Sequence, residues 1–327
     1  MDNSCKIMIT GGYGFVGTNL ATYLKQDKDI TLTALDIKEG NAPYDRYVSW
    51  DNLDNEELDS YDAIIHLAGM AHDTRGNAVD KELYFKVNTG LTQRIFDKYL
   101  KSKTKIFIFF SSVKAVADTV EGEFLTEDAV PYPKTPYGES KLRAEEYINS
   151  KEKDIDESKK VYILRPAMIH GPGNKGNLNL LYKTVSKRIP WPLGKFDNLR
   201  SFTSIENVCY TVKNMIRGKI PQGTYQIADD TPLSTNELIR LIAESQNRKP
   251  QIINMPQALI RCMAKAGDVL KLPLNSERLK KLTESYIVSN LKLKGALGID
   301  TMPVSSTEGM IRTLNSFKNK KLTNTAL

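Results

Sequence analysis

The chain has 327 residues, 40% of them hydrophobic and 26% charged, the balance of a globular protein with room for one large domain or two small ones. That balance excludes a disordered, collagen-like or low-complexity protein, and no apolar run approaches the roughly 20 residues of a membrane-spanning helix. The formal charge of +7 is uneven: residues 1–150 hold 17 basic and 24 acidic side chains (net −7), and residues 151–327 hold 29 and 15 (net +14). Such a surplus attracts anions, although a solvated basic surface accounts for it equally well. Nucleic acid is disfavoured as a partner, because the cations are dispersed except at Lys318, Lys320 and Lys321, without interleaved aromatics. The opening MDNSCKIMIT lacks the basic flank and apolar run of a secretory signal. Cys5, Cys209 and Cys262 form neither a disulfide framework nor a metal-spaced pair, so a cytoplasmic setting is expected.

In chain order, KIMIT at 6–10 reads as a buried strand and 13–26 as a helix. Strands follow at 31–36 and 63–68, with a short one at 47–50. Residues 83–100 read as one long amphipathic helix. IFIFF at 106–110 must be a central strand, since an edge so apolar would aggregate. A helix at 136–150 and a strand at 161–165 complete a regular alternation, which predicts an α/β fold with a doubly wound parallel sheet. Beyond residue 171, Gly and Pro cluster at 171–176 and 190–194. A short strand is expected at 224–228, then a helix starting after Ser234 or Thr235 and an apolar helix at 258–270. This half reads as a smaller lobe on the sheet, dividing the chain at 1–170 and 171–327 with some crossing back.

The first strand runs into Thr10-Gly11-Gly12-Tyr13-Gly14-Phe15-Val16-Gly17 and then a helix. Gly11 makes the tight turn, Gly14 lets a pyrophosphate approach the backbone, and Gly17 lets helix pack on sheet. The helix N-terminus offers free N–H groups to the phosphates. Asp36, nineteen residues after Gly17, suits a ribose 2′-OH and repels a 2′-phosphate. The expected cofactor is therefore NAD, with Lys38 softening the preference over NADP.

Three tyrosines precede Lys by four residues: Tyr99/Lys103, Tyr137/Lys141 and Tyr147/Lys151. In a chain with 15 tyrosines and many lysines, chance supplies one or two such pairs, so context decides. Tyr99 and Tyr147 sit near polar helix ends, where lysine is common. Tyr137 follows Pro136 at a helix start, one turn from Lys141 on the same face. The apolar strand IFIFF ends in Ser111-Ser112, 25 residues before Tyr137, and the carboxyl end of a central parallel strand is where such sheets bind ligands. A phenol of pKa about 10 is a poor base at neutral pH, and an adjacent ammonium lowers that value. The expected roles are Tyr137 as acid/base, Lys141 as fixed charge and Ser112 as the group orienting the substrate oxygen.

Together these motifs resemble the NAD-dependent epimerase/dehydratase family of extended short-chain dehydrogenase/reductases. Asp62-Ala63-Ile64-Ile65-His66-Leu67-Ala68-Gly69 is similar to its fourth-strand signature, and Val87-Asn88-Thr89-Gly90 to its VNxxG segment. Tyr137-Gly138-Glu139-Ser140-Lys141 matches the YGxSK catalytic stretch. Leu164-Arg165-Pro166 and Gly171-Pro172-Gly173 resemble LRPxxxYGPG, with His170 where Tyr is usual. The resemblance implies a Rossmann fold, a UDP-sugar substrate and a homodimer through the helices at 83–100 and 136–150. It implies cofactor contacts from Gly11, Gly14, Phe15, Val16, Gly17, Asp36, Leu67, Ala68, Gly69, Asn88, Ser111, Tyr137, Lys141 and Pro166. Substrate contacts are implied from His170, Asn177, Leu178, Pro192 and Arg200, where a guanidinium bridges two phosphate oxygens. One departure stands out. Ser111-Ser112-Val113-Lys114 replaces the usual serine stretch and resembles the SSVKVNGE variant of bacterial UDP-sugar 4-keto reductases of surface-polysaccharide synthesis; Lys281–Ser285 resembles that subgroup too. A 4-keto reductase is favoured over a UDP-glucose or UDP-N-acetylhexosamine 4-epimerase with retained NAD, and over a non-catalytic NAD sensor.

The histidines are too few and too widely spaced for a metal site. His66 reads as a strand histidine fixed by local hydrogen bonds, while His72 and His170 are candidates to face substrate. The 258–270 helix has an interfacial flavour but reads as a core or lid helix, so no membrane partner is expected.

Overall fold

Strand β1 (Cys5–Thr10) sends Ile7 and Ile9 to one face and Met8 to the other, and all three are fully buried. A strand apolar on both sides belongs inside a parallel sheet covered by helices. The computed structural model describes residues 4–71, 81–174, 176–270 and 275–323. The further strands are β2 (Ile30–Asp36), β3 (Arg46–Ser49), β4 (Ala63–His66), β5 (Ile106–Phe110), β6 (Lys160–Pro166), β7 (Met168–His170), β8 (Leu199–Arg200), β9 (Phe202–Ser204), β10 (Gly223–Ile227) and β11 (Leu233–Ser234). Seven form one parallel sheet in the order β10-β6-β5-β4-β1-β2-β3. β5 is central, with Phe107 and Phe109 on one face and Ile108 and Phe110 on the other.

Helices α1 (Phe15–Leu24), α2 (Lys81–Tyr84), α3 (Leu91–Lys101), α4 (Pro136–Ser150), α5 (Asn177–Ser186), α6 (Ile205–Ile216), α7 (Thr235–Ser245), α8 (Gln257–Leu270), α9 (Ser276–Thr283), α10 (Leu291–Leu297) and α11 (Ser306–Thr323) complete the fold. α1 and α6 cover one face of the sheet, and α3 and α4 the other. Pro136 opens α4, whose N-cap Thr135 Oγ1 accepts from Gly138 N at 3.2 Å. α7 starts where the sequence predicts, after Ser234, and the structure shows a reciprocal capping box between Ser234 and Glu237 there.

The expected helix over 83–100 differs. Among the described residues a π-helical turn at Phe85–Gly90 separates α2 (Lys81–Tyr84) from α3. Such turns mark places where a side chain is diverted from helix packing to another task. Sequence reading also missed α5, α6, α9, α10 and α11, and the pairs β7–β9 and β8–β11. The 258–270 helix exists as α8, which packs on a core cluster through Ile260 and Ala264, buries Gly267 and exposes its other residues. β10 and α6, from beyond residue 171, return to the main sheet and its covering layer.

Candidate active site

β1 enters the sheet between β2 and β4, so the strand order reverses there and a crevice opens beyond the carboxyl ends. The glycine turn occupies it. Gly11 has φ +66°, and a Cβ on it would sit 2.9 Å from the Ala68 backbone at the exit of β4. At Gly17 a Cβ would come within 2.3 Å of Gly12 O. Tyr44 Oη donates to Gly12 O and Gly17 O, each at 3.0 Å, and pins the turn from below. Gly14 caps α1 without any side-chain hydrogen bond, so the first N–H groups of α1 are available to phosphate. Asp36 accepts from Tyr13 N at 3.0 Å and from Ile37 N at 2.7 Å, which aims its carboxylate across the turn. Phe15 lies 3.5 Å from where a Gly171 side chain would begin, and Asn19 Nδ2 donates to Pro172 O at 2.9 Å. The two glycine stretches thus meet.

Behind the turn a buried relay fixes the crevice wall. Ala68 N donates to Thr10 Oγ1 (3.1 Å), and Thr10 Oγ1 lies 2.7 Å from His66 Nδ1. His66 Nε2 lies 3.0 Å from Thr92 Oγ1, which donates to Asn88 O at 2.6 Å. Because the Thr92 hydroxyl proton goes to Asn88, His66 must carry its proton on Nε2 and accept from Thr10 at Nδ1. Burial, with the Lys141 charge adding, pushes His66 down to about 3, so it stays neutral. It is a structural histidine, as its sequence setting suggests. His72 lies outside the described residues.

The catalytic trio assembles on α4 and the end of β5. Ser112 lies beside the Tyr137 phenol, within hydrogen-bonding influence of it, and Ser112 Oγ accepts from Lys114 N at 3.1 Å. Burial raises the Tyr137 phenol above its ordinary value; Ser112 opposes the rise and Tyr84, 6.4 Å away between ring centroids, adds to it. Lys141 Nζ donates to Phe110 O at 2.7 Å, and burial pushes it down to about 8. Burial is thus the leading influence on both groups, raising the phenol and lowering the ammonium. Lys141 Nζ stands 3.1 Å from where a side chain on Gly69 would begin, so the lysine occupies the crevice floor beside Leu67, Ala68 and Gly69.

The other two Tyr-x3-Lys pairs are structural. Tyr99 is fully buried among Phe96 and Phe107, while Lys103 reaches Asp59; Tyr147 donates to Asp97.

Several expected ligands have other duties. Asn88 accepts from Met70 N at 2.7 Å and donates to Met70 O and Ser140 Oγ, so its side chain ties α4 to the exit of β4 rather than reaching a cofactor. The Ser111 hydroxyl donates to Glu145, which is gripped by Arg165 through bonds of 2.6–3.1 Å, all buried. Neither side chain is free to bind. Pro166 closes β6 and is buried. His170 is 1% exposed, with Nδ1 2.9 Å from Thr313 Oγ1 and Nε2 3.4 Å from Asp229, so its reading as a substrate ligand is corrected to a structural one. Leu178 is a core residue of the lobe, leaving only its backbone for a ligand, whereas Asn177 at the start of α5 is exposed. Pro192 is half-buried. Arg200 is half-buried and donates to Lys281 O and, at 3.2 Å, to Glu284 O at the end of α9.

Sequence reasoning passed over Lys114. Two residues past Ser112, its Nζ lies 4.1 Å above the Tyr286 ring and donates to Asp118 O at 2.9 Å. Burial lowers its pKa, and the Arg200 charge is among the contributors. The lysine in the SSVK departure was the available signal. Among the described residues no group of His, Cys, Asp and Glu could hold a metal ion.

A glycine turn, an acid at the next strand end and a Ser–Tyr–Lys set on β5 and α4 define a dinucleotide-dependent enzyme of the epimerase, dehydratase and reductase kind. The family model for the NAD dependent epimerase/dehydratase family matches residues 7–228, and the chain belongs to that family. It is 30% identical to a UDP-glucose 4-epimerase of Vibrio cholerae, over 95% of each chain. It is 26% identical to a UDP-2-acetamido-2,6-beta-L-arabino-hexul-4-ose reductase of Pseudomonas aeruginosa, over 76% of this chain and 59% of the other. The solved UDP-N-acetylglucosamine 4-epimerase of Bacillus cereus superimposes with a TM-score of 0.74 at 22% identity, covering 95% of this chain and 98% of that one, a likeness of fold. The cofactor is NAD, and the turn fits it: Gly17 has no room for a side chain, Gly14 caps α1 with no side chain over its first N–H groups, which would hold the phosphates, and Asp36 at the end of β2 would meet the ribose. When bound, NAD supplies hydride exchange.

Proposed function

We propose that the protein carries out oxidoreduction at C4 of a UDP-sugar and works in the cytoplasm as a 4-keto-sugar reductase supplying surface-polysaccharide precursors. The observation that carries the redox reading is the placement of Ser112 beside Tyr137, with Lys141 on the crevice floor beside Gly69. In this reading Tyr137 passes its proton to the C4 oxygen, Ser112 holds that oxygen, and Lys141 keeps the tyrosine side positive. Residues 1–170 would hold the dinucleotide and 171–327 the nucleotide-sugar, with Asn177, the Leu178 backbone, Pro192 and Arg200 at its diphosphate and base, and the chain acting as a homodimer through α3 and α4. The SSVK stretch and the Pseudomonas relative support the reductase. The epimerase is a second reading, supported by the Vibrio relative and by Asp36, which favours retained NAD. The test follows 340 nm absorbance with 4-keto and 4-hydroxy UDP-sugars. A reductase consumes NADH in proportion to sugar; an epimerase converts sugar with no net change. Tyr137→Phe should lower either rate by about 10²–10⁴-fold while NAD still binds. Near-normal turnover in that variant would overturn the assignment.

A further inference from the structure

Helix α8 buries one narrow line and exposes another. Ile260 and Ala264 pack into a cluster with Trp191, Leu193 and Ile239, and Gly267 continues the line. On the other side Leu259 is 48% exposed, Met263 46%, Val269 81% and Leu270 66%. Positions 259, 263, 266 and 270 recur every three to four residues, so Leu259, Met263, Ala266 and Leu270 make a continuous apolar stripe beside Cys262 and Val269. Scattered exposed leucines need no explanation, but a stripe along one helix does.

The polar side of α8 carries cations: Lys265 falls just beyond Val269 at one edge of the apolar sector, and Arg261 lies farther round the helix. α8 and α9 contribute Arg261, Lys265, Arg278, Lys280 and Lys281 against Asp268, Glu277 and the α9 C-cap Glu284. The acids are engaged locally: Asp268 accepts from Ser276 N at 2.8 Å and Ser276 Oγ at 2.5 Å, Glu277 pairs with Lys281 at 2.5 Å and Glu284 with Lys280 at 3.8 Å, leaving a net positive surface. They belong to the half of the chain with net charge +14.

We propose that α8 docks in the interface of an anionic membrane, with Leu259, Met263 and Leu270 among the acyl chains and the cations of α8 and α9 at the lipid phosphates. The 14-residue helix is about 21 Å long, enough to lie in an interface and too short to cross it. A second copy is the poorer occupant, because a symmetric contact would set these cations against themselves. The carbonyl end of α9 holds Arg200. Docking at a membrane departs from the sequence-based expectation of no membrane partner, and it stands whichever sugar reaction the cleft performs.

The test uses the full chain and two vesicle preparations, pure phosphatidylcholine and phosphatidylcholine with about one-third phosphatidylglycerol. The expected result is about tenfold more sedimentation with the anionic vesicles, falling as salt screens the cations. A polarity-sensitive fluorophore on the exposed Cys262 should shift to the blue on binding. Burial pushes the competing Cys5 thiol up to about 11, and Cys209 is buried. The double substitution Leu259→Glu/Met263→Glu, on exposed positions, should abolish sedimentation with NAD affinity and melting temperature unchanged. Absence of vesicle binding, binding without a blue shift, retention of binding by the double variant, or a dimer that the double variant dissociates would each overturn the proposal.

Discussion

Replacing Lys141 with methionine should stabilise the protein while abolishing its chemistry. Lys141 is 5% exposed, and burial moves its ammonium from the ordinary 10.5 to about 8, with Glu145 pulling the other way. The difference, at about 1.4 kcal/mol per unit, puts the cost of the buried charge on the order of 3 kcal/mol below pH 8. Methionine matches the length without the charge. It forfeits the bond to Phe110 O, worth about 1 kcal/mol, and the contact over the Phe109 ring. The net gain expected at pH 7 is therefore about 2 kcal/mol. Because the folded pKa is the lower one, the unfolded chain holds the extra proton between pH 8 and 10.5. The wild type accordingly gains stability through that window, and the advantage of the variant should shrink across it. Urea unfolding of both proteins at a series of pH values from 7 to above 10 measures the gap, and taking the difference cancels the other titrating groups. A variant less stable than wild type at pH 7, or a gap that stays constant to high pH, would refute the reasoning.

Three other substitutions probe the frame. Gly17→Ala places a methyl 2.3 Å from Gly12 O, so the turn must open; NAD binding, read by calorimetry, should be lost together with about 2 kcal/mol or more of stability. Arg165→Ala strands the Glu145 carboxylate in the interior and should cost about 3–5 kcal/mol in chemical denaturation, with Arg165→Lys restoring only part of it. Asp36→Asn keeps an acceptor for Tyr13 N but removes the charge that repels a 2′-phosphate; the ratio of NADP to NAD affinity should rise by about tenfold or more in competition binding.

The sheet was legible because its strands are apolar on both faces and alternate with amphipathic helices, so local pattern and final position coincide. The glycine turn and the trio were legible for a related reason. A tight turn admits only glycine, and a Tyr–Lys pair one helical turn apart shares a face wherever the helix goes. The break in the 83–100 helix was hidden, because its cause lies elsewhere in the chain: Asn88 engages Met70 and Ser140, and Thr89 engages the Ser140 carbonyl. The strands β7, β8, β9 and β11, two or three residues each, exist only through partners remote in sequence.

By itself, then, the amino-acid order determined the α/β alternation, the dinucleotide turn, the acid at the end of β2 and the spacing from Ser112 to Tyr137 and Lys141. Tertiary structure alone decided which polar side chains remain available. It tied Ser111 to Glu145 and Arg165, enclosed His170 between Thr313 and Asp229, and left one side of α8 exposed. The physical reason is desolvation. A polar or apolar group acquires its role from what removes water around it, and those neighbours come from distant parts of the chain.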